Sequence, residues 1–290
     1  MNLTDISSVR ALLHRHGFTF SKALGQNFLI NPSVCPKMAE MSGIDGNSGV
    51  IEIGPGIGVL TAELAKIAKK TVAIELDKRL LPVLEETLPD RAGIEVINAD
   101  ALKIDFHKLI SEKFTGLDVF VCANLPYYIT SPVIMHLLES RLPVKAITVM
   151  VQKEAAARIC APVGTRLSGA ITVSVNYFSS PEKLFDVSRG SFMPSPNVDS
   201  SVIRFNIHDK PPIDVKNEKM LAKTIKAAFS QRRKTLLNSL SSGLGIPKGD
   251  LNDILKSIGI DILLRAEQLS LTQFETIVNA LDSAATQKQS

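Results

Sequence analysis

Five short runs of nearly unbroken apolar, largely β-branched residues punctuate the first half of the chain. They are VIEIG (50–54), TVAIEL (71–76), IEVINA (94–99), DVFVCAN (118–124) and AITVMV (146–151). Being apolar on both faces, they read as parallel strands covered on either side. The stretches between them, such as LTAELAKIAKK (60–70) and KRLLPVLEETL (78–88), read as helices. After about residue 170 the alternation stops. ITVSVNYF (171–178) and SVIRFNI (201–207) read as two strands joined by a long loop, an antiparallel addition to a parallel sheet. HDKPP (208–212) reads as a linker, because adjacent prolines neither continue a strand nor sit inside a helix. From about 216 to 282 the pattern is helical throughout, in short elements broken by GLGIPKGD (243–250) and SIGID (257–261), and the tail TQKQS reads as disordered. The expectation is an α/β domain over residues 1–207 and a small all-helical domain over 208–290.

Of the 290 residues, 45% are apolar and 21% charged, which fits a globular protein and excludes a disordered one. No uncharged apolar run approaches the roughly 18 residues of a membrane span, so no membrane role is expected. The opening MNLTDISSVRALLHRHGF has no apolar signal core, and the expected location is cytoplasmic. Cys35, Cys122 and Cys160 are widely spaced and form no C-x-x-C, which removes a disulfide scaffold and a zinc cluster. Five scattered histidines add no metal signature, and no metal is expected. Basic residues number 33 and acidic residues 29, unevenly placed: 21 and 20 in residues 1–206, 12 and 9 in 207–290. Lys219 to Gly249 holds seven basic residues and no carboxylate. Such a stretch attracts polyanions through counterion release; taken alone, it reads equally well as a solvated helix face.

Glu52-Ile-Gly-Pro-Gly-Ile-Gly58 closes the first strand and runs directly into a helix. Glycines there let the backbone turn sharply and approach a ligand with no Cβ in the way. A dinucleotide fingerprint, G-x-G-x-x-G, requires glycine at position 59, which is Val59. G-x-G-x-G after an acidic residue is instead the pattern of S-adenosylmethionine-dependent methyltransferases. Glu75 ends the second strand, 21 residues after Gly54, where a carboxylate accepts from both hydroxyls of a ribose. Asp100 follows the third strand, within reach of an adenine amino group. Ligands of open α/β sheets bind outside the carboxyl ends of the strands, and Gly54, Glu75, Asp100 and Asn124 all occupy such ends. Any one of them alone reads as a helix cap; four at successive strand ends read as a site.

The fourth strand runs into Asn124-Leu125-Pro126-Tyr127-Tyr128, which contains two of the chain's three tyrosines. An exocyclic amine on a base is a poor nucleophile, because its lone pair is delocalised into the ring. It gains nucleophilicity when acceptors take its hydrogens and draw the nitrogen toward a tetrahedral shape. The Asn124 side-chain oxygen and the Leu125 carbonyl, stiffened by Pro126, are candidates for those acceptors. Tyr127 is the candidate to stack on a base withdrawn from its helix. A sulfonium leaving group is already activated, so positioning is the main task, worth ~7–11 kcal/mol in favourable cases. The plain alternative is a proline turn packed by aromatics.

Nearly the whole chain resembles the ribosomal RNA adenine N6-dimethyltransferases, above all the small-subunit (KsgA) branch. The resemblance rests on Lys22-Ala-Leu-Gly-Gln-Asn-Phe-Leu29, Glu52–Gly58, Glu75-Leu-Asp77, Asn124-Leu-Pro-Tyr127 and Gln152-Lys-Glu154. It continues in Phe192-Met-Pro-Ser-Pro-Asn-Val-Asp-Ser200, Phe229-Ser-Gln-Arg-Arg-Lys-Thr-Leu236 and Arg265-Ala-Glu-Gln-Leu-Ser270. It implies a class I S-adenosylmethionine-dependent methyltransferase fold, a Rossmann-like seven-stranded sheet with a C-terminal helical domain. It implies cofactor contacts from Asn27, Leu29, Gly54, Glu75, Asp100 and Asn124, and Phe192 flanking the target adenine opposite Tyr127. The sequence departs from the family pattern at Gly164–Gly169, which has only Arg166 in place of a basic or tyrosine-bearing stretch, and at Tyr128, where Asn is frequent.

If Lys219 onward forms one helix, Lys219, Lys223, Lys226 and Arg233 share a face opposite Leu221, Ile225, Ala228 and Phe229. Arg232 then falls on the apolar side, unless the helix breaks near Ser230. Lys223, Arg232, Arg233 and Lys234 are the expected phosphate contacts, which supply affinity and no sequence reading. The implied activity is dimethylation of two neighbouring adenines in a hairpin near the 3′ end of small-subunit ribosomal RNA, linked to 30S maturation, by a monomer. The alternatives are adenine methylation of large-subunit RNA, and a ribosome-assembly factor that docks on an immature 30S subunit with methylation secondary.

Overall fold

The computed structural model of the chain describes residues 1–21, 25–88 and 92–287. Lys22, Ala23 and Leu24 of the quoted N-terminal motif, and the last three residues of the TQKQS tail, lie outside the described residues. The chain divides into two units, Met1–Ala156 with Pro181–Ile207, and Ala157–Ser180 with His208–Ser290. Residues 157–180, which the apolar pattern places in the first domain, therefore group with the second unit.

The first unit opens with α1 (Ile6–Arg15), β1 (Phe28–Leu29), α2 (Val34–Met41), β2 (Ser48–Ile53), α3 (Val59–Ile67) and β3 (Lys70–Glu75). It goes on through α4 (Leu81–Thr87), β4 (Ile94–Asn98), α5 (Phe106–Lys113), β5 (Asp118–Asn124), α6 (Thr130–Glu139) and β6 (Ala146–Gln152). After α7 (Lys153–Ile159) and α8 (Ala170–Phe178), the chain returns with β7 (Ser179–Val187), β8 (Phe192–Met193) and β9 (Ser200–Ile207).

Seven strands form one sheet in the order β4-β3-β2-β5-β6-β9-β7. β4, β3, β2, β5 and β6 pair in parallel, and β9 runs antiparallel to β6, from Ala146 opposite Asn206 to Gln152 opposite Ser200. The five parallel strands are the five apolar runs. β2 is buried along its whole length, as an inner strand covered on both faces must be, whereas edge strand β4 is only partly buried. Strand order steps outward from β2 in both directions. That reversal opens a crevice where β2 and β5 end, at Ile53 and Asn124.

On one face Val50, Leu60, Leu64, Cys122 and Met150 pack with Cys35 and Met38 of α2. A second cluster joins Leu12 and Phe18 to Phe28, Ile57, Leu80 and Met193. Full burial of such side chains contributes about 1.5–3 kcal/mol each, so the N-terminal segment is held by its own core. β1 and β8 form a separate two-stranded ladder with Leu29 opposite Phe192.

The second unit adds α9 (Glu218–Ala228), α10 (Leu236–Leu244), α11 (Lys248–Ser257) and α12 (Leu271–Gln287) to α8. Leu221, Ile225, Leu240, Leu255, Phe274 and Val278 form its core. Residues 171–178 are helix α8, not the strand their β-branched alternation predicts. An apolar run of this length fits either element, and here the context decides. The Gly169 N–H donates to the Thr172 hydroxyl at 2.9 Å, that hydroxyl donates to the Arg158 carbonyl at 2.7 Å, and Val173 and Tyr177, one helical turn apart, enter the core. The second late strand is β7, in the stretch expected to be loop.

The basic segment does not form one helix. The Asn217 side chain accepts from the Met220 N–H at 3.1 Å and starts α9, which stops at Ala228. Phe229 stacks on Phe274 with ring centroids 6.2 Å apart, and residues 231–234 form an exposed turn. Arg232 is therefore solvent-facing rather than on an apolar stripe. Between α11 and α12 the chain has only a short 3-10 turn, Ala266–Gln268, so the helical reading of 216–282 is too broad there.

Candidate functional site

A cavity of about 330 Å³ in the first unit opens at the carboxyl ends of the parallel strands. Asn27, Leu29, Gly54, Glu75, Asp100, Asn124, Leu125, Pro126, Tyr127 and Phe192 all line it. These ten come from segments spread over 166 residues of sequence: the parallel strands β2, β3, β4 and β5 end at the cavity, and the separate β1–β8 ladder brings Asn27, Leu29 and Phe192 to it.

The glycine turn after β2 has φ values of 74°, 60° and 88° at Gly54, Gly56 and Gly58, a left-handed region that side chains rarely enter. At Gly56 a Cβ would also stand 3.2 Å from the Phe28 ring, a crowding that the bare position avoids where this turn meets β1. Gly58 caps α3 directly, which brings the helix N-terminus to the cavity.

Glu75 is 6% exposed at the end of β3. Its Oε1 accepts from the Asp77 N–H at 2.7 Å and its Oε2 from the Gly56 N–H at 3.4 Å. Burial raises its carboxyl from 4.5 to about 7, against the pull of those two N–H groups. Glu52, on β2, is 1% exposed and also borders the cavity. Burial pushes it to about 8, with the Thr61 hydroxyl acting the other way and the Glu75 charge adding to the rise. Its Oε2 has no hydrogen-bond partner among the described residues. Asp100 accepts from the Leu102 N–H at 3.0 Å and lies 3.5 Å from the Lys103 Nζ. Leu76 and Leu102, each close behind a strand-end acid, are exposed apolar residues on the cavity wall.

Asn124 is the last residue of β5 and pairs with Met150. Pro126 accepts from the Ile129 N–H at 3.1 Å and the Thr130 hydroxyl at 3.2 Å, which locks the turn into α6. The Tyr127 phenol sits 2.7 Å from the Ser200 hydroxyl at the start of β9. Burial raises that phenol, helped by nearby Asp199 and opposed by the Ser200 hydrogen bond. Phe192 is 4% exposed: one side packs in the sheet core with Leu29 while the ring borders the cavity. Asn27 donates to the Gly25 carbonyl at 3.0 Å.

Lys223, Arg232, Arg233 and Lys234 are not part of this cavity; all four are exposed in the second unit. Glu52 as a buried acid, Ser200 as the partner of Tyr127, and Gln26 and Asp77 beside Glu75 are contributors that strand-end logic does not single out. Their only sequence signal is membership of the quoted motifs. Among the described residues no group of three or more metal-ligating side chains occurs, and no helix is long and apolar enough to cross a membrane.

The family model described as ribosomal RNA adenine dimethylase matches residues 17–283. Ribosomal RNA small subunit methyltransferase A of Bacillus mycoides (strain KBAB4) is 47% identical over 274 residues, covering 93% of this chain and 94% of that protein. The protein of the same name from Bacillus cereus (strain AH187) shows the same identity and coverage. Among solved structures, a dimethyladenosine transferase from Plasmodium falciparum superposes with a TM-score of 0.74 at 26% identity, covering 89% of this chain and 98% of that one. The 23S rRNA methyltransferase ErmE superposes with a TM-score of 0.66 at 26% identity, covering 88% and 100%.

Proposed function

The chain belongs to the ribosomal RNA adenine dimethylase family, and from that premise we propose that its cavity is where methyl groups pass to adenine N6. The protein is an adenine dimethyltransferase of small-subunit ribosomal RNA, with S-adenosylmethionine as cofactor. The finer substrate is two adjacent adenines in a hairpin near the 3′ end of that RNA, presented on an immature 30S particle. One observation carries the assignment of the cavity: the glycine turn, a carboxylate of the ribose-binding kind and the Asn124–Tyr127 turn, from three different strand ends, line one space.

The residues fit the cofactor. Gly54 lines the cavity at φ 74°, a conformation side chains rarely adopt, so the turn presents bare backbone there. Glu75, held from behind by two backbone N–H groups, has lone pairs left for two ribose hydroxyls. Asp100 is the acceptor for an adenine amino group, and Asn27 and Leu29 close the near side. S-adenosylmethionine supplies a methyl group on a sulfonium sulfur, a leaving group that needs no acid.

The chain's own part is geometry. The Asn124 side-chain oxygen and the Leu125 carbonyl accept the two hydrogens of the target amine and draw its lone pair out of conjugation. Pro126 holds both acceptors still. The Tyr127 ring stacks on the flipped base with its phenol tethered to Ser200, and Phe192 forms the facing wall. Positioning of this sort is worth ~7–11 kcal/mol of barrier in favourable cases. Each transfer leaves a cationic amine that loses a proton to water, and in the second transfer the one remaining N–H is held by one of the two acceptors.

Residues 208–290 act as the RNA-binding domain, with Lys223, Arg232, Arg233 and Lys234 on phosphates, and the protein works as a cytoplasmic monomer. Mass mapping of modified nucleotides tests this on three substrates: immature 30S particles, naked small-subunit RNA and large-subunit RNA. Dimethyladenosine at two neighbouring positions on the 30S particle, lost in Asn124→Ala with particle binding unchanged, is expected. Methylation of large-subunit RNA alone, or loss of binding in parallel with activity, overturns the reading.

A further inference from the structure

Gln26 lies next to Asn27 on the cavity wall and has two partners. Its Oε1 accepts from the Ser21 N–H at 3.0 Å, and its Nε2 donates to Asp77 Oδ2 at 2.8 Å. Asp77 is 8% exposed and anchored. The Arg79 guanidinium donates to it from Nε at 2.9 Å and from a terminal nitrogen at 2.6 Å, holding its carboxyl below the usual range. Arg79 in turn lies over the Phe18 ring, 5.0 Å from its centroid, and donates to the Thr19 carbonyl at 3.4 Å. The Asp77 main-chain N–H is the group that fixes Glu75 Oε1. One residue therefore holds the ribose-type carboxylate with its backbone and Gln26 with its side chain.

The neighbours of Gln26 reach the other walls. Gly25, at φ +56°, lies so close to the reacting turn that a Cβ there would stand 3.3 Å from both Pro126 and the Tyr128 ring. Phe28 packs under Gly56, and Leu29 pairs with Phe192. Residues 25–29 thus touch the ribose-type acceptor loop, the glycine turn, the Asn124–Tyr127 turn and the Phe192 ladder. An amide suits position 26 because it accepts from an N–H and donates to a carboxylate at once. A carboxylate there would face Asp77 with like charge, and an alkyl group would take the side-chain acceptor from the Ser21 N–H and leave Asp77 held by Arg79 without the tie to residues 25–29.

We propose that Gln26 is a positioning residue for methyl transfer, clamping residues 25–29 onto the Asp77 loop so that the seated cofactor and the shape of the acceptor turn are secured together. The proposal rests on the reading of the cavity given above. The test compares wild type with Gln26→Leu and Gln26→Glu. Cofactor binding is measured by calorimetry without RNA, and kcat at saturating cofactor on immature 30S particles. Losing a hydrogen bond to a charged group corresponds to about ten- to a hundredfold. Gln26→Leu is expected to bind cofactor weaker by that factor and to lose kcat by about tenfold or more. Gln26→Glu, which sets like charge against Asp77, is expected to be worse still.

Wild-type behaviour of Gln26→Leu overturns the proposal. So does weakened binding with full kcat, which would make the contact local to the cofactor. A wild-type protein that binds cofactor yet leaves small-subunit RNA unmethylated overturns the functional reading instead; the calorimetric comparison then still decides the clamp.

Discussion

Replacing Glu75 by Gln is expected to act in two opposite directions, stabilising the cofactor-free protein at pH 8 while weakening its hold on the cofactor. Burial moves the carboxyl from 4.5 to about 7. The folded state therefore keeps its proton up to about pH 7, while the unfolded chain loses it near 4.5. Across that window the folded state binds more protons, so its stability falls as pH rises and then levels off. A gap of roughly 2.5 pH units at ~1.36 kcal/mol each is about 3 kcal/mol, and a side chain only 6% exposed leaves little solvent screening to discount. Gln has no charge to bury. Glu75→Gln should recover up to about 3 kcal/mol at pH 8 and almost nothing at pH 4. The amide, however, accepts from one ribose hydroxyl where the carboxylate accepts from two. One lost hydrogen bond to a charged group costs about 1.5–3 kcal/mol, roughly ten- to a hundredfold in affinity. Wild-type affinity should also fall about tenfold from pH 8 to 6, because a proton must leave Glu75 before the ribose can bind. The cofactor's own amino group titrates nearby, so the difference between the two proteins is the quantity to read. Denaturant unfolding at pH 4 and 8 and calorimetry at pH 6 and 8 give both signs. A Glu75→Gln protein that unfolds more easily than wild type at pH 8, or binds cofactor equally well, refutes the assignment.

Tyr127→Phe keeps the ring and loses the Ser200 hydrogen bond, so it should cost about 0.5–1.5 kcal/mol of stability and spare most methylation. Tyr127→Ala should lose about 1–3 kcal/mol of base stacking; an equal loss of activity in the two variants would shift the role from the ring to the phenol, and full activity in both would remove Tyr127 from the reaction. Replacing Arg232, Arg233 and Lys234 by Ala should flatten the plot of log affinity for RNA against log salt by about two to three units; an unchanged slope would remove these residues from the phosphate contacts. Phe274→Ala, at a fully buried position in the second unit, should cost about 3–5 kcal/mol in denaturant unfolding, and a loss under about 1 kcal/mol would contradict its place in that core.

The parallel strands were legible because their apolar runs are continuous and each ends in turn chemistry that needs no distant partner. The same feature made residues 171–178 misleading. Alternating β-branched residues satisfy a strand locally, and only the Thr172–Arg158 hydrogen bond and the core around Val173 and Tyr177 favour a helix. The edge strand β7, mostly partly exposed and with charged Glu182, Lys183 and Asp186, has too little apolar period to be seen. In the basic segment, helical periodicity runs on past Ala228, and the stacking of Phe229 on Phe274 accompanies the break.

What the chain determined by itself is the list of chemical groups and the edge of the sheet that carries them. Strand-end position is a local property, and in a sheet of parallel strands it brings Gly54, Glu75, Asp100 and Asn124 to one rim. Tertiary structure decided how those groups are held and charged. Gln26 meets Asp77 across 51 positions and Tyr127 meets Ser200 across 73, separations over which no periodicity carries information. The raised carboxyls of Glu52 and Glu75 arise from burial, which belongs to the packed molecule and to no stretch of residues within it.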